Sequence, residues 1–358
     1  MQPSKHIRLG EKQIGEGFPV FIVFEAGPTH DGIDTAKKLV EEAAKAGADA
    51  VKFQLVDPVR LVPDRKQLFS YQILEERGGE AMRTVTEPLY DILSRRTLTR
   101  EQWADVKAYC DSLGIVFFST ATFKDEVEFL AELGCESIKI CSGDVDYLQF
   151  IDYCARKNVS LQFDTGNATL GDVERAVDVA LAAGNDKLIV HNCPSGYPAR
   201  LESINLRMIL TLKTMFDCPV AFSDHTPGWE MDIAAVALGA NLVEKTITLD
   251  RSTPSVEHLF SIEPKEMQQF VSHIRDLEVA LGHPRRIMSD EERKKASAVR
   301  RSMIVSHDLN PGDVITEECI DFARPGFGIR PEMSHLILGR RLKKEIKAGS
   351  FVGLDDID

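Results

Sequence analysis

Residues 160–190 read SLQFDTGNATLGDVERAVDVALAAGNDKLIV, and this stretch decides the fold. Ser160–Asp164 is a short apolar run of strand length. Leu170–Ala183 carries apolar residues at helical spacing, and Lys187–Val190 is a second strand-like run. Gly184 stands where a helix C-terminus needs a left-handed residue. The same unit repeats on both sides. Further strands are predicted at Val20–Phe24, Ala50–Gln54, Ile115–Ser119, Ser137–Ile140, Val220–Phe222 and Asn241–Val243. Between them lie helical patterns at Asp34–Ala46, Arg100–Leu113, Phe123–Leu133, Leu201–Met215 and Trp229–Leu238. Gly47, Gly114, Gly134, Gly239 and Gly282 occupy the closing positions of helices. Near-continuous hydrophobic strands are buried on both faces, as in a parallel sheet. Eight such units predict an α/β fold, a (β/α)8 TIM barrel. A doubly wound open sheet is the alternative, but no GxGxxG follows the first strand to favour it.

Two stretches break the rhythm. Asp57–Leu98 is far longer than an ordinary connection and reads as an excursion over one end of the barrel. After Leu281 the pattern stops, and the charged segment 284–300 reads as a linker between a barrel domain (1–283) and a small β-rich domain (301–358). That last part shows short runs, MIVS, DVIT, LILG and SFVG, between Gly and Pro turns.

The 358 residues carry 43 Lys and Arg against 56 Asp and Glu, a formal net charge of −13. That excess argues against a nucleic-acid protein, which needs concentrated basic charge to displace counterions. A local basic pocket for a small anion stays compatible with it. No apolar run approaches the roughly 20 residues of a membrane helix, and the polar start MQPSKHIRLGEKQ lacks a signal-peptide core. Seven cysteines without a CxxC pair sit largely in apolar runs, so they read as reduced residues of a cytoplasmic protein.

In a barrel of this kind the active site lies at the carboxyl ends of the strands. Those ends carry Glu25 and His30; Lys52 and Gln54; Ser119 and Thr120; Lys139 and Ser142. They continue with Thr165 and Gly166; His191, Ser195 and Tyr197; Ser223, Asp224 and His225; Glu244 and Lys245. For any single Ser or Thr, a turn or cap role is the ordinary explanation. Polar groups at nearly every end point collectively to an active site. Lys52 and Lys139 lie in apolar strands, where an ammonium is costly unless an anion meets it. With Ser142, Ser195 and Ser223 they describe a pocket for a phosphorylated acid. Salt bridges to Glu25 or Glu244 are the structural alternative for each lysine. A Schiff-base aldolase using Lys139 is another functional one. His225 in SDHTPG is a candidate ligand for a divalent metal, with Asp224 fixing its tautomer or binding beside it.

In order along the chain, FEAGPTHDG (24–32), VKFQ (51–54), FST (118–120), KICSGD (139–144), TG (165–166), HNCPSGYP (191–198) and FSDHTPG (222–228) are similar to the motifs of the N-acetylneuraminate (sialic acid) synthase family. RPGFGIRP (324–331) resembles the antifreeze-like (SAF) domain that follows the barrel in that family. The resemblance implies a transferase that condenses phosphoenolpyruvate (PEP) with a sugar aldehyde, giving a 2-keto-3-deoxy sugar acid and phosphate. It implies PEP held by Lys52, Lys139, Ser142, Ser195 and Ser223, and catalytic roles for Glu25, Lys139, His225 and Glu257. It places Gln54, Thr120, Asp144 and Tyr197 among the substrate-binding residues. It also implies a domain-swapped homodimer, in which Arg324 of the small domain reaches the sugar in the other subunit. The cofactor implied is a divalent metal, Mn or Mg, on His225. The sequence departs from the family here. Thr246 in VEKTITLDR stands where the family has the second histidine ligand, and Glu257 in PSVE replaces an aspartate. The departure leaves open a metal held with His258, Glu257 or Asp224, or a non-catalytic sugar-binding homologue.

Overall fold

A computed structural model describes residues 1–79 and 81–358. The chain divides into two compact units, Met1–Gly282 and His283–Asp358. In the first unit, strands β1 (His6–Leu9) and β2 (Lys12–Gly15) form an antiparallel hairpin. Ten strands follow: β3 (Phe21–Glu25), β4 (Ala50–Gln54), β5 (Leu68–Leu74), β6 (Met82–Pro88), β7 (Val116–Thr120), β8 (Ser137–Ile140), β9 (Ser160–Asp164), β10 (Leu188–Asn192), β11 (Val220–Asp224) and β12 (Leu242–Thr246). All except β5 and β6 pair in parallel, in chain order, into a closed barrel of eight strands. The expected (β/α)8 fold is the one observed.

Because successive side chains of a strand point to opposite faces, each strand contributes two rows. Ile22, Phe24, Val51, Phe53, Ile138, Ile140, Leu161 and Phe163 join the core between strands and helices. The alternate residues line the interior. At its amino end the interior is apolar: Phe21, Val23, Ala50, Phe118, Ile189, Ala221 and Leu242 pack with Ile7, Leu9 and Ile14 of the hairpin. The hairpin thus closes that end with side chains, a role that the polar look of residues 1–13 concealed.

The helices follow the periodic segments, with three departures. The pattern at 201–215 divides into Leu201–Ile204 and Met208–Phe216, because Asn205 takes a left-handed conformation at φ 47°. A helix at Leu148–Ala155 that the periodicity did not mark, and the helix Pro264–Leu281 that Gly282 closes, complete the layer. The segment read as a linker holds a helix, Asp290–Val299, whose start is fixed by a capping box of Ser289 and Glu292. Gly47, Gly114, Gly134, Gly184 and Gly239 end their helices at φ between 68° and 94°, as expected. Gly282 instead takes φ 53° with ψ −131°, outside the left-handed helical well.

The long excursion consists of a short helix Pro58–Leu61, the β5–β6 hairpin and a helix Leu89–Ser94. Tyr71, Ile73 and Ile92 pack against Val256 in the loop after β12, so the excursion lies at the carboxyl end of the barrel. The second unit has its own small core of Met303, Val305, Leu309, Ile315, Ile337, Leu342 and Ile346. Its one antiparallel pair is β13 (Ser302–Val305) with β14 (Ile320–Ala323). Of the other runs read as β-like, DVIT and SFVG contribute single bridges, and LILG lies at the end of a 3-10 turn.

Candidate active site

Above the apolar layer the interior rows become charged. Inward positions at the carboxyl halves of the strands are Glu25, Lys52, Lys139, Gln162, Asp164, His191, Ser223 and Glu244, all at most 8 % exposed. They form one connected lattice. Lys52 Nζ lies 2.5 Å from Glu25 Oε2 and 2.7 Å from Glu244 Oε1. Lys139 Nζ approaches the same Glu244 oxygen at 2.7 Å and Asp164 Oδ1 at 3.0 Å, and donates to Ser223 Oγ at 2.9 Å. His191 bridges Ser223 Oγ and Gln162 Oε1, each at 2.8 Å, while Gln162 donates to Ser137 Oγ. With the amide in that orientation, His191 Nε2 carries the proton and Nδ1 faces the Ser223 hydroxyl.

This arrangement corrects one expectation. The buried lysines meet carboxylates of the chain itself, so the salt-bridge alternative describes their present partners. Their burial alone therefore does not demonstrate an external anion. Lys139 has an acceptor for each of its three ammonium protons, which is poor preparation for a Schiff-base nucleophile that must be a neutral amine.

Electrostatics sorts the carboxyls. Burial works against the charge of Glu244, but Lys139 and Lys52 override it and hold the group far below the usual carboxylate range. Asp164 is lowered as well, with Lys139 and His191 outweighing burial. Glu25 goes the other way: burial raises it, reinforced by Glu244, despite Lys52. Burial also opposes the Lys52 charge, yet Glu244, Glu25 and Asp164 hold it well above the ordinary lysine range. His191 is pushed down to about 3 by burial and by Lys139, and is neutral. Glu25 is thus the lattice carboxyl whose charge burial opposes on balance, beside the Lys52 ammonium. Gly27 is required next to it. Its N–H donates to Glu25 Oε1 at 2.6 Å, and a Cβ there would stand 2.7 Å from that oxygen.

Nearer the rim the predicted residues gather in two groups. Gln54 donates to Glu25 Oε2 at 3.4 Å, and Thr120 pairs in register with both Gln54 and Lys139. Ser142 and Ser195 form a separate exposed cluster. Asn167 donates to Ser142 Oγ at 3.1 Å and accepts from Ser195 at 3.0 Å, and the Ser195 hydroxyl also meets Gly166 O. These two serines therefore do not touch the lysines; they join the loops after β8, β9 and β10 above them. Asp144, in the turn Ser142–Asp144, accepts from the Cys141 thiol at 3.0 Å, and burial raises its carboxyl. The Tyr197 ring stands 4.8 Å from His225, and both flank Phe260. Glu257 is buried on the loop after β12. Burial lifts its carboxyl to about 7, opposed by Arg96 and aided by Glu25. Arg324 is exposed at the end of β14, in the second unit.

Several candidate donors around His225 are engaged elsewhere. Asp224 is committed to Lys245 and to the Thr226 hydroxyl. His258 Nδ1 is engaged with Thr248 Oγ1 at 2.7 Å, and His225 Nδ1 faces Pro194 O at 3.2 Å. Thr246, a hydroxyl, ends β12 and pairs in register with Glu25, one residue beyond the Asp224–Lys245 pair of the β11–β12 ladder. Among the described residues, no three His, Cys, Asp or Glu side chains gather to hold a metal. Two of the partners considered for His225, Asp224 and His258, are thus engaged with other groups.

Sequence reading missed Arg96, Asn167, Gln162 and Asp164. For the last two a signal existed: in β9, Ser160, Gln162 and Asp164 alternate with Leu161 and Phe163, so a polar row faced one side.

Fold and site together define a (β/α)8-barrel enzyme whose ionisable groups meet at the carboxyl ends of its strands. The chain belongs to the NeuB family, whose model matches residues 39–286, and a SAF domain matches residues 300–358. It is 37 % identical over 354 residues to the N,N'-diacetyllegionaminic acid synthase of Legionella pneumophila, covering 98 % of each chain. It is 30 % identical to a pseudaminic acid synthase of Campylobacter jejuni, covering 94 % of this chain and 96 % of that one. The crystal structure of the N-acetylneuraminic acid synthetase of Leptospira borgpetersenii superposes with a TM-score of 0.70 at 28 % identity, covering 82 % of this chain and 96 % of that one.

Proposed function

We propose that this enzyme condenses PEP with an aldose of the amino-sugar class and releases phosphate and a sialic-acid-like 2-keto-3-deoxy sugar acid. The observation that carries the reading is the meeting of Lys52 and Lys139 at one Glu244 oxygen, 2.7 Å from each ammonium. Two fixed cations that close together suit a ligand with a phosphate and a carboxylate a few bonds apart. Ser223, bonded to Lys139, supplies a hydroxyl to the same ligand. Ser142, Ser195 and Asn167 form the rim above it. Relatives named as legionaminic acid, pseudaminic acid and N-acetylneuraminate-9-phosphate synthases support catalysis over a binding-only homologue.

In this reading PEP C3 attacks the aldehyde carbon, and the aldehyde oxygen takes a proton. Glu257, whose carboxyl is raised to about 7 by burial, gives it in this reading. Water adds at the cation left on PEP C2 and loses a proton to Glu25. The resulting phosphate hemiketal collapses with C–O cleavage, giving the ketone and free phosphate. Lys139 and Lys52 stabilise charge on the phosphate and carboxylate throughout. Tyr197 and His225 flank the aldehyde. No metal step is assigned, because candidate donors near His225 are engaged elsewhere.

Among the described residues no helix is long and apolar enough to cross a membrane; we place the reaction in the cytoplasm. We further propose a homodimer in which the SAF unit of one subunit covers the barrel mouth of the other, with Arg324 reaching the sugar. Phosphate release from PEP over a panel of aldoses, with and without Mn²⁺, tests the activity. Turnover with at least one aldose is expected, and none with any would favour the binding-only reading. Truncation after residue 283 should leave a folded barrel with a severely raised KM for the aldose. Unchanged kinetics would remove the cross-subunit lid.

A further inference from the structure

Beside the charged lattice lies a cavity of about 240 Å³, lined by the loop after β3, the loop after β12 and the end of the 89–94 helix. Its charged walls are mostly committed. Arg95 forks onto Glu87, 3.0 Å from one oxygen and closer to the other. Asp250 accepts from the Ser252 amide and hydroxyl at 2.8 and 2.6 Å and faces Arg77 at 3.5 Å. Asp31 is exposed and takes the Thr35 hydroxyl. His30 and His258 are pushed down to about 4 by burial and by Arg96, so both are neutral.

Arg96 is the exception. It is 6 % exposed, and among the described residues its guanidinium makes one hydrogen bond, Nη2 to Ser255 Oγ at 2.9 Å. No carboxylate of those residues comes within ion-pair distance of it, although Glu257 and Glu25 act on it from further away. A guanidinium has five donors and a charge that does not titrate, so this largely buried cation keeps most of its donors unused by the described residues. Its planar fork matches the paired oxygens of a phosphate or carboxylate. We infer that this cavity is a subsite for an oxyanion carried by the aldose, held by Arg96 with Ser255 fixing the guanidinium.

The inference rests on the synthase reading, since it names the class of sugar: an aldose with a phosphate or a carboxylate at the end remote from its aldehyde. The kinetic test compares kcat/KM for N-acetylmannosamine, its 6-phosphate and its 6-carboxylate analogue. A charged aldose should be preferred at least tenfold, and the better of the two identifies the group. In Arg96→Gln the ratio should collapse toward one, and in Ser255→Ala it should fall partway if the first variant does not fold. A ratio near one in the native enzyme, or an unchanged ratio in both variants, overturns the subsite and leaves the synthase standing. Crystals soaked in selenate separate the reverse case. Anomalous density beside Arg96 supports the subsite even if no aldose turns over, and density elsewhere with none at Arg96 overturns it.

Discussion

Two buried lysine clusters share the strand β12 and its neighbours, and they have opposite fates. Glu244, facing inward, anchors Lys52 and Lys139. Lys245, the next residue, faces outward and meets Asp224, Thr226 O and Asp232, all fully enclosed. Each cluster holds one lysine side chain at 0 % exposure, Lys139 or Lys245, against two carboxyl groups. They differ in where they lead. The inner lattice runs through Glu25 to Gln54 and the open rim, whereas the outer one ends in Asp232, whose oxygens find no hydrogen-bond partner. Burial and the nearby Asp224 charge raise that carboxyl well above its usual range. Burial of a charge thus marks a functional site only where the network reaches a surface that a substrate can reach.

The sharpest way to break this contrast is to remove one lysine from each side. Lys139→Met should cut kcat for phosphate release on the order of 10²–10³-fold. Lys245→Met should cost about 3–5 kcal/mol in urea unfolding, since it leaves Asp224 uncompensated, with kcat per folded molecule retained. A Lys245→Met enzyme that stays stable yet loses kcat would erase the distinction.

Next in size is Glu257, on the rim side of the contrast. Its carboxyl titrates near 7 in the fold, above the ordinary 4.5 it regains on unfolding. The folded state therefore binds the extra proton between those values, and its contribution to stability is present below 4.5 and lost as pH rises to about 7. Native protein should lose on the order of 2–3 kcal/mol relative to Glu257→Gln between pH 4.5 and 7.5. The limb of kcat/KM near pH 7 should vanish in the same variant. Parallel pH dependence in both proteins would place that titration on another group.

The smallest effect sharpens the comparison at the β11–β12 edge. Thr246→His would add a second imidazole one residue beyond the Asp224–Lys245 pair and should tighten Mn²⁺ binding at least tenfold, read by isothermal titration. No gain would mean that position 246 and His225 do not face a common point.

Much of the fold was legible because it is written locally. The runs at Ala50–Gln54, Ser137–Ile140 and Ser160–Asp164 coincide with observed strands, since apolar periodicity and closing glycines act within a few residues. The amino-terminal hairpin was not legible, because Ile7, Leu9 and Ile14 alternate with polar residues and gain meaning only against the open barrel end. At the site, Glu25, Lys52, Lys139 and Ser223 stood out by residue type at strand ends. Arg96 did not: it follows a helix in the excursion, and only its burial beside Ser255 distinguishes it from an ordinary surface arginine.

By itself the sequence determined which elements form and which residue types stand at their carboxyl ends, because dihedral preference and side-chain periodicity are properties of neighbours along the chain. Tertiary structure alone decided the partners. Glu244 joins Lys52 and Lys139 across 192 and 105 residues of chain, and barrel closure sets that meeting through the register of eight strands. No local pattern encodes it, because a buried charge takes whichever counter-charge the closed register brings within reach.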